Sequence, residues 1–125
     1  MRARGEIDMD KFSRLFDLNR YLDDVEVCFS INGEVEQDAY YLSESICSRI
    51  ICIGNAYKLH YVPMIDIYGD IKLNKTQVLS LIEELLFIKS IINDEVIEHF
   101  VPLIIKLLEE ITHSKDEKLL WIMGN

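Results

Sequence analysis

Residues 74–111 read NKTQVLSLIEELLFIKSIINDEVIEHFVPLIIKLLEEI. Asn74 and Gln77 have the spacing of a capping box, in which each side chain accepts a hydrogen bond from the other residue's backbone amide. Apolar residues then recur at helical spacing as far as Ile92, which predicts a long amphipathic helix. Its predicted core stripe consists of Val78, Leu81, Ile82, Leu85, Ile88 and Ile92.

A second helix is predicted after the break at Asn93-Asp94-Glu95. Its apolar residues again have helical spacing, and they are Val96, Phe100, Ile104, Leu107, Leu108 and Ile111. Pro102 lies inside this stretch and is expected to kink or restart the helix. Phe87 and Ile91 lie on another face of the first helix, beside polar residues, so an apolar surface is predicted there outside the core.

The preceding part of the chain predicts a hairpin and a shorter helix. Residues 25–31 alternate apolar and polar side chains, as a strand with one buried face does, and Asn32-Gly33 favours a tight turn into a second strand near Tyr40-Tyr41. Ser43 suits the N-cap of a helix that Gly54 would end. A strand through residues 50–53 is the competing interpretation.

Residues 57–62 predict another strand, which Pro63 would stop, and residues 64–73 predict an irregular segment. Residues 118–125 predict a final strand. The expected fold class is therefore α+β, in which a small antiparallel sheet (the hairpin, a third strand and a C-terminal strand) packs against the two long C-terminal helices.

The length of 125 residues fits a single domain over 1–125. Residues 1–7 are expected to be flexible, and residues 8–22 place Phe12, Leu15, Phe16 and Leu22 at roughly helical spacing. The first 20 residues lack the apolar core of an export signal, and no apolar run approaches the roughly 20 residues of a membrane span. Together with three cysteines, an odd number, this predicts a cytoplasmic chain with reduced thiols.

The net charge of −9 makes nucleic acid a poor partner and a basic protein a better one. Residues 22–47 contain no lysine or arginine. Such an acidic run is either a set of solvated loops or a surface that attracts a basic partner. The acidic residues of this run are Asp23, Asp24, Glu26, Glu34, Glu36, Asp38 and Glu44.

No catalytic or metal-binding pattern is recognisable in the sequence. Cys47 and Cys52 lack zinc-ligand spacing and are expected to be buried, whereas the strand alternation places Cys28 on the outer face. The histidines, His60, His99 and His113, are scattered. Asp66 and Asp70 flank Gly69, and their carboxylates either hold a metal or, as we prefer, accept hydrogen bonds from turn amides. We therefore expect no enzyme, no cofactor and no metal site.

The C-terminal half resembles a family of small bacterial proteins that carry a D-x-Y-G-D-T-x-F-N-x-x-Q segment and end in a histidine, a short gap and an F-I-G-D-like strand. Many members are uncharacterised, and some look like immunity proteins of polymorphic or contact-dependent growth inhibition toxin systems. Ile71, Leu73 and Asn125 depart from the family pattern. The matching positions, which we interpret as structural, are Asp66, Tyr68, Gly69, Asp70, Asn74, Gln77, His113 and Gly124.

The resemblance implies an immunity protein that binds and neutralises a cognate toxin, and the acidic charge favours a basic, nuclease-type toxin. Predicted partner-binding residues are Asp23, Asp24, Glu34, Glu36, Asp38 and Glu44 for electrostatic attraction, with Tyr40, Tyr41, Phe87 and Ile91 as apolar anchors. The first alternative is a homo-oligomeric adaptor or structural protein, such as a homodimer paired through Phe87 and Ile91. The second is an ion-binding protein or small enzyme built on Asp66, Asp70, His60 and His113.

Overall fold

The structure is a computed structural model that describes residues 25–124. In chain order the strands and helices are β1 (Glu26–Ile31), β2 (Ala39–Ser43), α1 (Glu44–Ala56), a short 3₁₀ helix (Val62–Met64), β3 (Asp70–Leu73), α2 (Lys75–Ile91), α3 (Glu95–Thr112) and β4 (Leu120–Met123). The predicted N-terminal helix over residues 8–22, the flexible segment 1–7 and the departure at Asn125 lie outside the described residues.

The strands form one antiparallel sheet in the order β2-β1-β4-β3. Side chains alternate across it, so that Val27, Phe29 and Ile31 of β1 face the core with the helices. Leu120 and Ile122 of β4 join them as direct neighbours of Ile31 and Phe29. The α+β fold class, the hairpin, the two long helices and the C-terminal strand that follows them are confirmed.

Helix α1 settles the ambiguity at residues 43–53 in favour of a helix. The Ser43 hydroxyl accepts a hydrogen bond from the Ile46 amide, as an N-cap should. The prediction that Gly54 ends the helix in the left-handed conformation is wrong, because α1 runs on to Ala56. Gly54 is buried, and a Cβ there would stand 2.5 Å from Cγ1 of Val62, so its lack of a side chain permits close packing.

Both long helices begin at the predicted caps. The capping box of α2 is present, with Asn74 and Gln77 exchanging hydrogen bonds of 2.8 and 2.9 Å. Asp94 caps α3 and accepts hydrogen bonds from the amides of Val96 and Ile97. Pro102 does not restart α3, which is continuous through it. Pro102 is exposed, so water can reach the backbone around it.

The predicted strand over residues 57–62 is wrong. These residues form turns that lead into the 3₁₀ helix, with Pro63 inside its first turn. Their amides bind the carboxylate of Glu84 on α2 instead of a neighbouring strand: the nitrogens of His60, Tyr61 and Val62 lie 2.9–3.1 Å from its oxygens. Because this side chain supplies acceptors for successive amides, the segment has no need of a strand partner.

The third strand of the sheet is β3, at the end of the segment predicted to be irregular. Among the described strands it pairs with β4 alone, and the chain passes from Leu73 directly into the cap of α2. Among residues 25–124, no helix is long and apolar enough to cross a membrane.

Candidate functional site

A tight turn at the end of β1 begins an exposed acidic loop, which we define as residues 32–38. Asn32 and Gly33 both have positive φ angles, of 57° and 81°, and the Glu34 amide closes the turn on the Ile31 carbonyl at 3.2 Å. The Asn-Gly pair therefore forms the tight turn that it predicts. Pairing with β2 resumes at Asp38, whose φ is 53° and whose carbonyl accepts a hydrogen bond from the Ile31 amide at 2.8 Å.

Side chains of both hairpin strands hold the acidic loop in place. The Ser30 hydroxyl donates to the Glu34 carbonyl at 2.5 Å, and the Tyr41 hydroxyl donates to the Val35 carbonyl at 2.7 Å. Ser30 and Tyr41 point away from the helices, because their neighbours Phe29 and Leu42 face the core. The loop consequently curls over the sheet face opposite the helices, which we call the outer face.

A third attachment joins the acidic loop to the segment before β4. The Asn32 amide donates to the Leu119 carbonyl at 2.9 Å, and the Asn32 side chain accepts from the Leu119 amide at 2.9 Å. Gly33 lies against the ring of Trp121, where a Cβ would stand only 2.8 Å from ring carbons. The loop is thus fixed at both ends and at its middle before any partner arrives.

The side chains of this loop point to solvent. Glu34, Glu36 and Asp38 are exposed, and Val35 between them is 57% exposed. An apolar side chain amid carboxylates, on a backbone already held by hydrogen bonds, is a suitable contact for a basic protein, because little conformational entropy remains to be lost on binding.

A row of four residues crosses the outer face beside the acidic loop. The strand register places Tyr41, Cys28, Met123 and Asp70 in one row across β2, β1, β4 and β3, and we call this row the outer strip. Tyr41 is 44% exposed and Met123 is half-buried, whereas Cys28 between them is buried. The next row contains Trp121, and the Lys72 ammonium lies over its ring, 4.2 Å from the ring centroid.

Carboxylates lie near the Tyr41 and Cys28 end of the outer strip. The pKa of Tyr41 is raised by its side-chain hydrogen bond with Cys28 and, further, by the nearby carboxylates of Glu26 and Glu36. Burial raises the pKa of the Cys28 thiol, and Glu26 adds to the shift. Both groups therefore stay neutral at physiological pH, and their environment disfavours additional negative charge.

The structure brings together part of the predicted partner-binding set. Glu34, Glu36, Asp38 and Tyr41 share the acidic loop and outer face, whereas Tyr40 packs partly against the core. Glu44 lies in the first turn of α1 and is half-buried. Asp23 and Asp24 lie outside the described residues.

Phe87 and Ile91 lie on α2, which packs on the other side of the sheet from the outer strip. Both are exposed as predicted, and the Phe87 ring meets Tyr57 edge-on with centroids 5.8 Å apart. They form an apolar surface that is separate from the acidic loop and the outer strip.

Several residues of the family resemblance form one turn. The Asp66 carboxylate accepts from the Tyr68 amide at 2.8 Å, and the Gly124 amide donates to the Gly69 carbonyl at 2.7 Å. A Cβ on Gly124 would stand 2.5 Å from Ile67, so glycine allows β4 to approach this turn. Tyr68 itself is 72% exposed.

The remaining residues of the resemblance are dispersed. Asp70 ends the outer strip, the Asn74 capping box lies at the far end of β3, and His113 is exposed at the end of α3. The backbone contacts of Asp66 match the preferred structural interpretation. Within residues 25–124, no group of three or more His, Cys, Asp or Glu side chains is placed to hold a metal ion.

Sequence reasoning missed two polar contacts and misjudged one cysteine. Glu84 binds the turn at residues 60–62, and Arg49 of α1 pairs with the buried Asp94. Both join residues distant in sequence, so no local pattern marks them. Cys52 is exposed rather than buried, whereas Cys28 does lie on the outer face, although it is buried there. The alternation through β4 was a usable signal that Trp121 and Met123 lie opposite the core.

No model of a protein family matches this chain, and no curated protein or solved structure matches it either. The function must accordingly be inferred from the site itself.

Proposed function

We propose that this chain is an immunity protein, which binds and neutralises a cognate bacterial toxin of basic, nuclease type. It acts by binding and not by catalysis. The observation that carries the proposal is the acidic loop, whose backbone is held by Ser30, Asn32 and Tyr41 while its carboxylates stay exposed.

Charge supplies the first part of the mechanism. A net charge of −9 attracts a basic protein over a distance of about a Debye length, and the exposed carboxylates of the acidic loop direct the encounter to the hairpin end of the sheet. Electrostatic attraction of this kind chiefly raises the association rate and falls with salt. An inhibitor that must capture a toxin before it acts benefits most from fast association.

Preorganisation supplies the second part. The acidic loop needs no ordering step, because its carbonyls at Glu34 and Val35 are already bound by strand side chains. Val35, at the centre of the loop, offers an apolar side chain from which a bound partner would displace water. The resemblance of the C-terminal half to proteins that look like immunity proteins supports the same assignment.

Co-expression with the product of the gene immediately upstream tests the proposal. We expect that product to be toxic alone, and this chain to restore growth and to be recovered with it in a stoichiometric complex. If the product is not toxic and no complex forms, the proposed function is wrong.

A matched pair of charge variants tests the role of the acidic loop. Glu34→Gln/Glu36→Gln/Asp38→Asn should lower the association rate constant at low salt by about tenfold or more. The control, Glu83→Gln/Glu109→Gln/Glu110→Gln, removes the same charge from exposed positions of α2 and α3 and should have a much smaller effect. Equal effects would mean that net charge alone matters and that the loop is not the contact.

A homo-oligomeric adaptor is the second candidate, and the exposed apolar side chains of α2 favour it. Leu86, Phe87 and Ile91 are all well exposed on that helix. Sedimentation equilibrium of the isolated chain should give a dimer if they pair with a second copy. A monomer across the micromolar range would remove this candidate.

A further inference from the structure

Strand β3 leaves one edge of the sheet open. It stands last in the strand order, with β4 as its neighbour. The Gly124 amide donates to the Gly69 carbonyl at 2.7 Å, and because hydrogen-bonded pairs alternate along an antiparallel ladder, Ile71 is the next residue to bind β4. The backbone amides and carbonyls of Asp70 and Lys72 consequently point away from the sheet. No strand within residues 25–124 binds them.

The open edge carries two opposite charges on the outer face. Ile71 is half-buried and packs against the core beside Ile122. Asp70 and Lys72, on either side of it, lie on the opposite face, because side chains alternate along a strand. Both are exposed, and in the described part of the chain neither takes part in a salt bridge. The Lys72 ammonium instead lies over the Trp121 ring.

This edge is complementary to itself. If Ile71 lies opposite Ile71 of a second, antiparallel copy, Asp70 of each copy lies opposite Lys72 of the other. The outward-pointing residues then form hydrogen-bonded pairs, each exchanging both backbone hydrogen bonds, with Cα atoms about 5.5 Å apart. The Cα atoms of Asp70 and Lys72 within one strand are about 6.7 Å apart. Each charged residue is therefore nearer to its opposite in the second copy than to the one in its own strand.

Charge also fixes the register of this pairing. Moving one strand by two residues would place either the two Asp70 side chains or the two Lys72 side chains directly opposite each other. Opposed like charges destabilise a strand pair, whereas opposite charges stabilise it. Charged side chains commonly protect edge strands from pairing, but on β3 the two signs alternate, so they disfavour only the unmatched registers.

The other edge of the sheet, β2, is less suited to a second copy. The acidic loop precedes β2, and Glu44 follows it directly. Antiparallel pairing of two β2 strands would bring the acidic loop of one copy towards Glu44 of the other. Residues 22–47 contain no lysine or arginine that could compensate these charges. Of the two edges, β3 is the one whose charges favour a second copy.

We propose that two copies of this chain associate through their β3 edges, in the register that opposes Asp70 and Lys72. The two sheets then continue into each other in the order β2-β1-β4-β3-β3-β4-β1-β2, around a two-fold axis at Ile71. Both acidic loops stay exposed, at the far ends of the joined sheet. The inference does not depend on the proposed function, and its surface differs from the apolar side chains of α2.

Sedimentation equilibrium of the full chain is the first measurement. A strand pair this short lies at the small end of protein interfaces, so we expect a weak dimer with a Kd on the order of tens of micromolar. A monomer at protein concentrations up to about 1 mM overturns the inference and leaves the proposed function standing. Because a dimer alone does not identify its surface, charge variants at the β3 edge must follow.

Exchanging the two charges of β3 tests the register. Asp70→Lys and Lys72→Asp each place like charges opposite each other twice in the dimer, and each should raise the Kd at least ~10-fold. Asp70→Lys/Lys72→Asp opposes unlike charges again and should return the Kd to within ~3-fold of the wild type. An equimolar mixture of the two single variants should form a heterodimer for the same reason. A Kd unchanged in the single variants, or the absence of both restorations, overturns the inference.

Matched controls separate this edge from net charge and from α2. Glu109→Lys and Lys106→Asp make the same charge changes at exposed positions of α3, and Leu86→Lys places a charge on the apolar side chains of α2. Each should change the Kd less than ~3-fold. Dissociation caused by Leu86→Lys but not by the β3 variants assigns the interface to α2 and overturns the inference. Circular dichroism and thermal unfolding establish that each variant is folded.

Hydrogen exchange of the unaltered chain needs no variant and so decides the matter even if the charge variants do not fold. The amides of Asp70 and Lys72 point outward from the edge, and they should become protected as the protein concentration rises through the Kd of the dimer. The Ile71 amide, which binds β4, should be protected at all concentrations. Dimer formation without protection at Asp70 and Lys72 overturns the inference.

Discussion

Both carboxylate oxygens of Glu84 lie 3.0 Å from the backbone nitrogen of Tyr61. The same carboxylate accepts hydrogen bonds from the amides of His60 and Val62, so one side chain of α2 holds the whole turn after α1. Within residues 25–124, these backbone amides are the hydrogen-bond donors that the structure places on the Glu84 carboxylate.

Removing this carboxylate should destabilise the fold. Glu84→Ala leaves the amides of residues 60–62 without their acceptor and should lower the free energy of unfolding by about 1–3 kcal/mol in urea denaturation. Glu83→Ala, at the exposed neighbouring position, should stay within about 0.5 kcal/mol of the wild type. Equal losses in the two variants would show that the contact contributes nothing specific.

Asp94 should be the most sensitive helix cap. It is 5% exposed, accepts from the amides of Val96 and Ile97, and pairs with Arg49. Asp94→Ala should cost at least about 1–2 kcal/mol from the cap alone. Asp94→Asn retains a capping oxygen and should cost less. A larger loss in Asp94→Asn than in Asp94→Ala would contradict this assignment.

Close packing at Gly54 gives a third prediction. Gly54→Ala forces a methyl group onto Val62 and should destabilise the chain by about 1–3 kcal/mol. Val62→Ala removes the clashing methyl groups, so the double variant should be more stable than the sum of the single losses predicts, by about 0.5–3 kcal/mol. If the losses of the two single variants simply add, the contact between positions 54 and 62 is not the source of the strain. Asn55→Ala, at an exposed position of α1, is the control.

Thiol chemistry should distinguish the cysteines. Cys52 is exposed, whereas Cys28 and Cys47 are buried. Ellman's reagent at pH 8 should therefore modify one thiol rapidly in the native chain and all three in denaturant. Cys52→Ser should abolish the rapid reaction. A rapid reaction that survives this substitution would mean that the outer face or the core opens readily.

Alkaline pH should reveal the burial of Cys47. Burial raises the pKa of its thiol from 9.0 to about 12. Above pH 9 the unfolded chain releases this proton first, so the stabilisation is complete below pH 9 and is lost as the pH rises towards 12. Cys47→Ala should reduce the fall in the free energy of unfolding between pH 8 and pH 10, while Asn55→Ala, which removes no titratable group, should leave that fall unchanged.

Elements with a local sequence signal were predicted correctly. Ser43, Asn74 and Asp94 each mark a helix start through a hydrogen bond to an amide at most three residues away. Asn32-Gly33 similarly marks its turn. The alternation at residues 25–31 predicts β1, which has one face in the core, and the short β-prone run at residues 118–125 predicts β4.

The errors arise where distant residues decide the conformation. Residues 57–62 have the composition of a strand, but Glu84 lies 22–24 positions away and binds their amides. Gly54 is constrained by Val62 and not by the end of a helix. The acidic loop is predicted only as a run of charges, since its hydrogen bonds to Ser30 and Tyr41 depend on the pairing of β1 with β2.

The sheet order has a consequence for folding during synthesis. The inner strands β1 and β4 are far apart in the chain: Asn32 and Leu119, which join them at one end, are 87 positions apart. β4 takes part in two of the three strand pairings. Until β4 leaves the ribosome, the β1 edge of the β1–β2 hairpin therefore stays open and β3 lacks its partner among the described strands, so the nascent chain must avoid intermolecular strand pairing while residues 44–119 are synthesised.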